Sequence, residues 1–221
     1  MEYQYLLFDL DGTLTDSMEG ITTSVQYALK AFGIEEPNLE KLTPFIGPPL
    51  KESFMQYYDL DEIQAEEAVV KYREWFVPKG IYQNKIYSGI EDMLKELKDG
   101  KKVLAVASSK PIGFVRDILN YFHIISYFDV IVGSELDGSR GTKEEVVEEA
   151  LRQLGVCEEK ISDKQRTVMI GDRKYDILGG KEHGLVTVGV SYGYAAENEL
   201  EKAGADYIVD TVQELKELLQ R

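Results

Sequence analysis

The hydrophobic positions of this chain follow two different patterns. From residue 88 onwards, short apolar runs alternate with stretches in which apolar residues recur every three or four positions. The runs lie at residues 103–107, 129–132, 167–170, 186–190 and 207–209, and a further run, Leu6-Leu7-Phe8, lies near the start. Short buried strands that alternate with helices are typical of a parallel sheet with helices on both faces. The sequence therefore predicts a doubly wound, Rossmann-like α/β fold with six strands.

The region between the first strand and residue 83 follows a helical pattern alone. Helices are predicted over residues 18–32, 49–58 and 62–77, and Gly33, Pro48, Pro49 and Pro78 lie at their ends. The alternation that is typical of a half-buried strand does not occur there. We therefore expect two domains: an α/β core formed by residues 1–14 and 83–221, and an inserted all-helical domain formed by residues 15–82.

Composition narrows the classes of partner. The net charge of −15 argues against nucleic acid as a partner, because phosphate binding needs a basic surface. No apolar run is long enough for a membrane span, and no basic stretch precedes the first apolar run as in a secretory signal, so we expect a cytoplasmic protein. Cys157 is the only cysteine, and the chain has only two histidines, His123 and His183, which excludes an intrachain disulfide and the usual Cys/His zinc sites. The sequence does not indicate an oligomeric state.

Polar side chains follow four of the predicted strands at the point where each strand ends. In chain order they are Asp9 and Asp11, then Ser108, Ser109 and Lys110, then Lys143, and finally Asp172 and Asp176. Right-handed crossovers place the carboxyl ends of parallel strands at one edge of the sheet, where ligands bind in such folds. We therefore expect these side chains to lie together.

Each of these residues also has a purely structural interpretation. In that interpretation Ser108, Ser109 or Asp172 is only a helix cap, Asp176 is the partner of a nearby lysine, and Lys143 is a solvated charge beside two glutamates. Capping does not explain why four separate strand ends present such groups. Carboxylates without histidine or cysteine favour Mg²⁺, and a hydroxyl, helix N-terminal amides and a lysine suit a phosphoryl group.

With these residues in place, the chain resembles the haloacid dehalogenase superfamily, in its phosphoglycolate phosphatase-like branch with a helical cap. Four stretches carry the resemblance: DLDGT at residues 9–13, VASSKP at 106–111, TKEE at 142–145 and IGDRKYD at 170–176. The first and last are specific in combination, and the middle two are weak by themselves.

The resemblance implies roles for the strand-end residues. Asp9 would be the nucleophile and Asp11 the general acid and base. Ser108, with Ser109 beside it, would bind the phosphoryl group, and Lys143 would neutralise the charge of that group. Lys110 stays a rival of Lys143 for this role, because Lys143 follows Gly-Thr rather than preceding a proline.

The resemblance also implies a metal site and a cap. Asp9, Asp172 and the backbone carbonyl of Asp11 would hold Mg²⁺, and Asp176 would support the site. The helical insertion would be a mobile cap that faces the substrate through Gly47 and Pro48. Lys51 in this insertion is a candidate cation for a substrate anion, and the alternative is a solvated surface charge.

The function expected from the sequence is therefore a Mg²⁺-dependent phosphatase that hydrolyses a small phosphomonoester through an aspartyl-phosphate. Three alternatives use the same site: a sugar phosphomutase, a pyrophosphatase or nucleotidase, and a non-catalytic binding module with the same fold.

Overall fold

The computed structural model describes residues 2–156 and 161–220; Cys157 lies outside the described residues. The strands and helices, in chain order, are β1 (Tyr5–Phe8), β2 (Thr15–Asp16), α1 (Met18–Ala31), α2 (Leu50–Tyr58), α3 (Glu62–Phe76), β3 (Lys85–Ile86), α4 (Ile90–Asp99), β4 (Val103–Pro111), α5 (Ile112–Tyr121), β5 (Val130–Ser134), α6 (Lys143–Leu154), α7 (Ile161–Gln165), β6 (Thr167–Gly171), α8 (Lys174–Glu182), β7 (Val186–Val190), α9 (Glu199–Ala203), β8 (Tyr207–Val209) and α10 (Val212–Leu219). Short 3-10 helices lie at Leu39–Phe45, Gly80–Tyr82 and Ile125–Tyr127.

The main sheet has six parallel strands in the order β5-β4-β1-β6-β7-β8. Phe8 in β1 is in register with Val106 in β4 on one side and with Ile170 in β6 on the other. These strands are continuous apolar runs because helices cover both faces of a doubly wound sheet. The predicted α/β fold is confirmed.

The strand order places β1 at the point where the chain changes direction across the sheet. From β1 the chain proceeds to β4 and β5 on one side, and later to β6, β7 and β8 on the other. In open α/β sheets, ligands bind outside the carboxyl ends of the strands at such a switch point. The residues that follow β1 therefore occupy the position where a site is expected.

One part of the core fixes α6 against the sheet. Leu7 in β1, Ala105 in β4 and Met169 in β6 pack with Val146 and Ala150 in α6, all of them fully buried. Because these contacts set the height of α6 above the sheet, they also determine where its first residue, Lys143, lies.

The end of β4 differs from the prediction. The sequence predicts an apolar strand over residues 103–107 with polar residues at its end, but β4 continues to Pro111, with an irregular register against β5 after Ala107. Gly133 in β5 permits this, because a Cβ there would lie 2.6 Å from the Lys110 carbonyl oxygen. Residues 108–111 are therefore held by the sheet.

The chain divides into two compact units, Met1–Thr15 with Ile86–Arg221, and Asp16–Lys85. Within the second unit, α1 packs against α3 through buried residues such as Val25 and Ala68. Asp61 caps α3, and its side chain accepts a hydrogen bond from the Gln64 N–H at 2.9 Å. No helix among the described residues is long and apolar enough to cross a membrane. The role of the second unit as a substrate cap stays a prediction.

Candidate active site

Asp9 lies at the carboxyl end of β1, where the strand ends and a tight loop begins. Its backbone N–H donates to the Ile170 carbonyl at 2.9 Å, so Asp9 continues the ladder between β1 and β6. The loop then closes on itself, since the Thr15 N–H donates to the Leu10 carbonyl at 3.0 Å. The side chain of Asp9 is only 7% exposed. Its carboxylate is thus fixed at the switch point of the sheet and shielded from bulk water.

Lys143 reaches this carboxylate from the start of α6. Thr142 caps the helix in a reciprocal pair with Glu145, and this cap fixes the point at which α6 begins. The Lys143 Nζ lies 2.6 Å from Asp9 Oδ1, 2.8 Å from Asp176 Oδ1 and 2.9 Å from the Ala107 carbonyl oxygen. The alternative interpretation of Lys143 as a solvated charge is therefore wrong.

Asp9, Asp172 and Asp176 form a buried acidic cluster. Each offers a carboxylate oxygen that lies within 4.8 Å of the others. Asp172 is fully buried, and its Oδ1 has no hydrogen-bond partner among the described residues. Three carboxylates face a single ammonium in Lys143, and an unpartnered buried oxygen is costly unless a cation compensates. The donor set therefore fits Mg²⁺, which prefers oxygen ligands.

The pKa values of the acidic cluster also favour a bound cation. Burial raises the pKa of Asp9 to about 6, although the ammonium of Lys143 lowers it. Burial and the neighbouring Asp176 and Asp9 carboxylates raise the pKa of Asp172 well above its usual range. Burial lowers the pKa of Lys143, but the charges of Asp176 and Asp9 outweigh this, so the net effect is a raised pKa and a permanent ammonium.

A second ion pair lies beside the acidic cluster. The Lys110 Nζ is 2.5 Å from Asp11 Oδ2, and the two side chains are 8% and 10% exposed. Asp11 Oδ1 is buried and has no hydrogen-bond partner among the described residues. The two lysines that compete for the phosphoryl group in the sequence interpretation thus contact different carboxylates: Lys143 pairs with Asp9, and Lys110 pairs with Asp11.

The two serines of the second strand end are part of β4. Ser108 is buried and Ser109 is half-buried. Neither serves as a cap, because α5 begins after Pro111, and no side chain of the described residues caps it. Asp172 likewise does not cap α8, whose N-terminal cap is Arg173. The capping interpretations of these residues are wrong, which leaves their polar atoms for another purpose.

Asp172 has neighbours that the sequence interpretation missed. The backbone N–H of Tyr194 donates to Asp172 Oδ2 at 2.7 Å. A Cβ on Gly12, which has φ +85°, or on Gly193 would overlap the Asp172 carboxylate. Residues 191–194 follow β7, so the strand-end rule that identified the other residues applies to them as well.

The predicted cap residues belong to the second compact unit. Gly47 has φ +105° and is exposed, and Pro48 beside it is half-buried. The Lys51 Nζ is paired with Glu62 at 2.8 Å and Glu66 at 2.7 Å on α3. Their part in substrate binding stays a prediction.

Residues 6–190 match the model of the haloacid dehalogenase-like hydrolase family. A 5'-nucleotidase of Pseudomonas aeruginosa is 44% identical over 220 residues, which cover 100% of this chain and 97% of that protein. The tyrosine-protein kinase PtkA of Mycobacterium tuberculosis is 39% identical over 98% of this chain and 72% of its own length. The pyrophosphatase PpaX of Halalkalibacterium halodurans is 31% identical over 99% of this chain and 98% of its own.

A solved structure is also similar to this chain over almost its whole length. The crystal structure of a predicted phosphatase from Clostridium acetobutylicum has a TM-score of 0.93 and 48% sequence identity, and 99% of each chain is covered.

Proposed function

The chain belongs to the haloacid dehalogenase-like hydrolase family, and we propose that it is a Mg²⁺-dependent phosphatase that hydrolyses small phosphomonoesters through an aspartyl-phosphate at Asp9. The observation that carries this proposal is the contact of 2.6 Å between Asp9 Oδ1 and Lys143 Nζ at the carboxyl end of β1. It supports the proposal because it brings a carboxylate and an ammonium together at the sheet edge where ligands bind in such folds.

The first requirement is to bring a carboxylate and an anionic phosphate together. When bound at Asp9 and Asp172, with the Asp11 carbonyl and Asp176 in support, Mg²⁺ would supply positive charge that offsets the repulsion between them. Lys143 already contributes one such charge next to Asp9. Ser108, at the end of β4, offers a hydroxyl to the remaining phosphoryl oxygens.

The reaction then proceeds in two displacements. An Asp9 oxygen attacks phosphorus, the bond from phosphorus to the ester oxygen breaks, and Asp11 gives its proton to the departing oxygen. In the second step water attacks the same phosphorus, Asp11 accepts a proton from that water, and Asp9 is released as a carboxylate. Lys110 holds Asp11 by Oδ2, and Asp11 Oδ1, which has no hydrogen-bond partner among the described residues, is the oxygen open to the departing group.

The relatives suggest which substrates to test first. The 5'-nucleotidase that is 44% identical along the whole chain favours nucleoside 5'-monophosphates. A second candidate is inorganic pyrophosphate, supported by the pyrophosphatase that is 31% identical over almost the whole chain. Both substrates present a terminal phosphoryl group to the same carboxylate.

The test is phosphate release from nucleoside 5'-monophosphates, pyrophosphate, phosphoglycolate and hexose phosphates, each with Mg²⁺ and with EDTA. We expect release from a monophosphate only with Mg²⁺, and its loss in Asp9→Asn. Pyrophosphate as the sole substrate would favour the second candidate, and isomerised hexose phosphate without free phosphate would favour the mutase. Undiminished activity in Asp9→Asn would contradict the mechanism.

A further inference from the structure

The segment between β7 and α9, residues 191–198, lies at the same sheet edge as the acidic cluster and has no part in the mechanism above. Its first residue continues the sheet, because the Ser191 N–H donates to the Val209 carbonyl at 2.9 Å. The following residues, Tyr192, Gly193 and Tyr194, then turn towards Asp172 and the loop after β1.

The first contact is made by backbone. The Tyr194 N–H donates to Asp172 Oδ2 at 2.7 Å, while Asp172 Oδ1 has no hydrogen-bond partner among the described residues. One oxygen of the carboxylate is therefore fixed by the segment, and the other is left for a cation. A backbone N–H that orients a ligating carboxylate is a typical outer-shell interaction of a metal site.

The second contact depends on the absence of a side chain. A Cβ on Gly193 would overlap the Cβ of Asp172 and would lie 2.5 Å from Asp172 Oδ2 and from the Gly12 carbonyl oxygen. Gly12 approaches the same carboxylate from the loop after β1. The Asp172 carboxylate thus lies between two glycine backbones. Gly193 does not have the positive φ of Gly12, so space alone requires glycine there.

The third contact reaches the loop that carries Asp9 and Asp11. The Tyr192 hydroxyl donates to the Thr13 carbonyl at 3.0 Å, and its ring packs edge-on against Tyr87 with centroids 4.9 Å apart. The same three-residue stretch is therefore bonded to Asp172 through Tyr194 and to the nucleophile loop through Tyr192. It fixes the two parts of the metal site relative to each other.

The far end of the segment is fixed by Glu199, the first residue of α9. Its carboxylate accepts from Arg173 Nε at 3.0 Å, from the Lys174 N–H at 2.9 Å and from the Ala196 N–H at 2.9 Å. Arg173 and Lys174 directly follow Asp172, so the segment is tied to the loop that carries this carboxylate through Tyr194 and again through Glu199.

We propose that Tyr192, Gly193 and Tyr194 are positioning residues of the metal site, which hold Asp172 by one oxygen so that the other is available to the cation. This inference rests on the proposed function, since it assumes that the acidic cluster binds a divalent metal. It predicts that changes at Tyr192 and Gly193, in a stretch without a carboxylate, histidine or cysteine side chain, alter metal affinity.

The test measures binding of Mn²⁺, as a probe for Mg²⁺, to the metal-free protein by electron paramagnetic resonance, without any substrate. Gly193→Ala should weaken Mn²⁺ binding by about 10- to 100-fold, the range found when outer-shell partners are lost. Tyr192→Phe, which removes one hydrogen bond, should weaken it by about 3- to 10-fold. Raising Mg²⁺ should restore kcat in both variants, because the reacting groups are unchanged.

Two matched controls separate positioning from general damage. Gly113→Ala adds a Cβ that meets no atom within 4 Å, and Tyr207→Phe removes a hydroxyl from a ring that is 43% exposed. Both should keep the wild-type Mn²⁺ affinity within about twofold.

The outcomes decide the inference. If the Gly193 and Tyr192 variants melt at lower temperatures but bind Mn²⁺ with wild-type affinity, these residues have only a structural role. That result would overturn the inference. If Gly193→Ala does not fold, the Tyr192→Phe affinity decides alone. Wild-type protein that binds no Mn²⁺ would overturn the proposed function instead, so the two failures are distinguishable.

Discussion

Replacing Asp9 by asparagine should stabilise the metal-free protein while it destroys activity. Asp9 is buried in the acidic cluster, and burial raises its pKa from an ordinary value of 3.8 to about 6 even with Lys143 beside it. At about 1.4 kcal/mol for each pKa unit, that difference means that the ionised carboxylate costs the folded state about 3 kcal/mol at neutral pH. Asparagine keeps the shape of the side chain and removes the charge.

The sign of the pH dependence follows from linkage. The folded-state pKa of Asp9 is the higher one, so between pH 3.8 and about 6 the folded state keeps a proton that the unfolded state has lost. The unfolding free energy of the wild type therefore falls as pH rises through this window. Relative to the wild type in EDTA, Asp9→Asn should be more stable by about 3 kcal/mol at pH 7.5 and by about half of that at pH 5.

Urea unfolding followed by circular dichroism measures this difference, and the corresponding rise in melting temperature is about 6–12 °C for a chain of this size. Asp117→Asn, on the exposed face of α5, is the control and should change stability by less than about 0.5 kcal/mol. Saturating Mg²⁺ should stabilise the wild type and reduce the gap. If Asp9→Asn were no more stable than the wild type at pH 7.5 in EDTA, the electrostatic reasoning would be refuted.

Other perturbations address the remaining residues of the site. Lys143→Met leaves the acidic cluster without its ammonium, so urea unfolding at pH 7.5 should show that the free energy of unfolding falls by about 3 kcal/mol. The loss should be smaller at pH 5, because the carboxyl groups take up protons there. An equal loss at both pH values would contradict this. Lys110→Met should lower kcat about 10- to 100-fold with KM unchanged, because Lys110 holds Asp11 rather than the substrate. If a steady-state assay showed a raised KM instead, Lys110 would contact the phosphoryl group. Gly12→Ala should weaken Mn²⁺ binding, measured by electron paramagnetic resonance, far more than Gly33→Ala. Both glycines have a positive φ, but only a Cβ at Gly12 would meet the acidic cluster. Equal Mn²⁺ affinities of the two variants would refute that contact.

The fold could be predicted because burial of strands and helices produces a characteristic pattern of apolar positions in the sequence. Strands buried on both faces need uninterrupted apolar runs, as in Leu6-Leu7-Phe8, and the helices between them show an apolar stripe. The end of β4 could not be predicted in this way. Ser108, Ser109 and Lys110 are polar, and only the close approach allowed by Gly133 in the neighbouring strand keeps them in the sheet.

The site was predictable to the extent that strand topology determines it. The rule that parallel strands end at one edge predicts that Asp9, Lys143 and Asp172 lie close together. The hydrophobic pattern did not determine whether Lys143 is solvated or buried. A lysine followed by two glutamates has the sequence of a solvated helix start, and only the packing of α6 on the sheet turns Lys143 towards Asp9.

The contacts of Asp172 with residues 192–194 were beyond the sequence for a different reason. Tyr194 acts through its backbone N–H, which every residue except proline has, and Gly193 acts by lacking a side chain. Neither leaves a chemical signature. The strand-end rule places the Tyr-Gly-Tyr stretch after β7 near the site, but only the distance to Asp172 shows which contact it makes.

The most direct test of the central claim is to trap the phosphoryl group on the protein. A substrate found in the phosphate-release screen is mixed with excess enzyme and Mg²⁺, the reaction is quenched in acid, borohydride reduces any acyl phosphate, and mass spectrometry locates the modified residue. We predict modification at Asp9, dependent on Mg²⁺ and absent in Asp9→Asn. Turnover of that substrate by the wild type with Asp9 unmodified, and undiminished turnover by Asp9→Asn, would contradict the account.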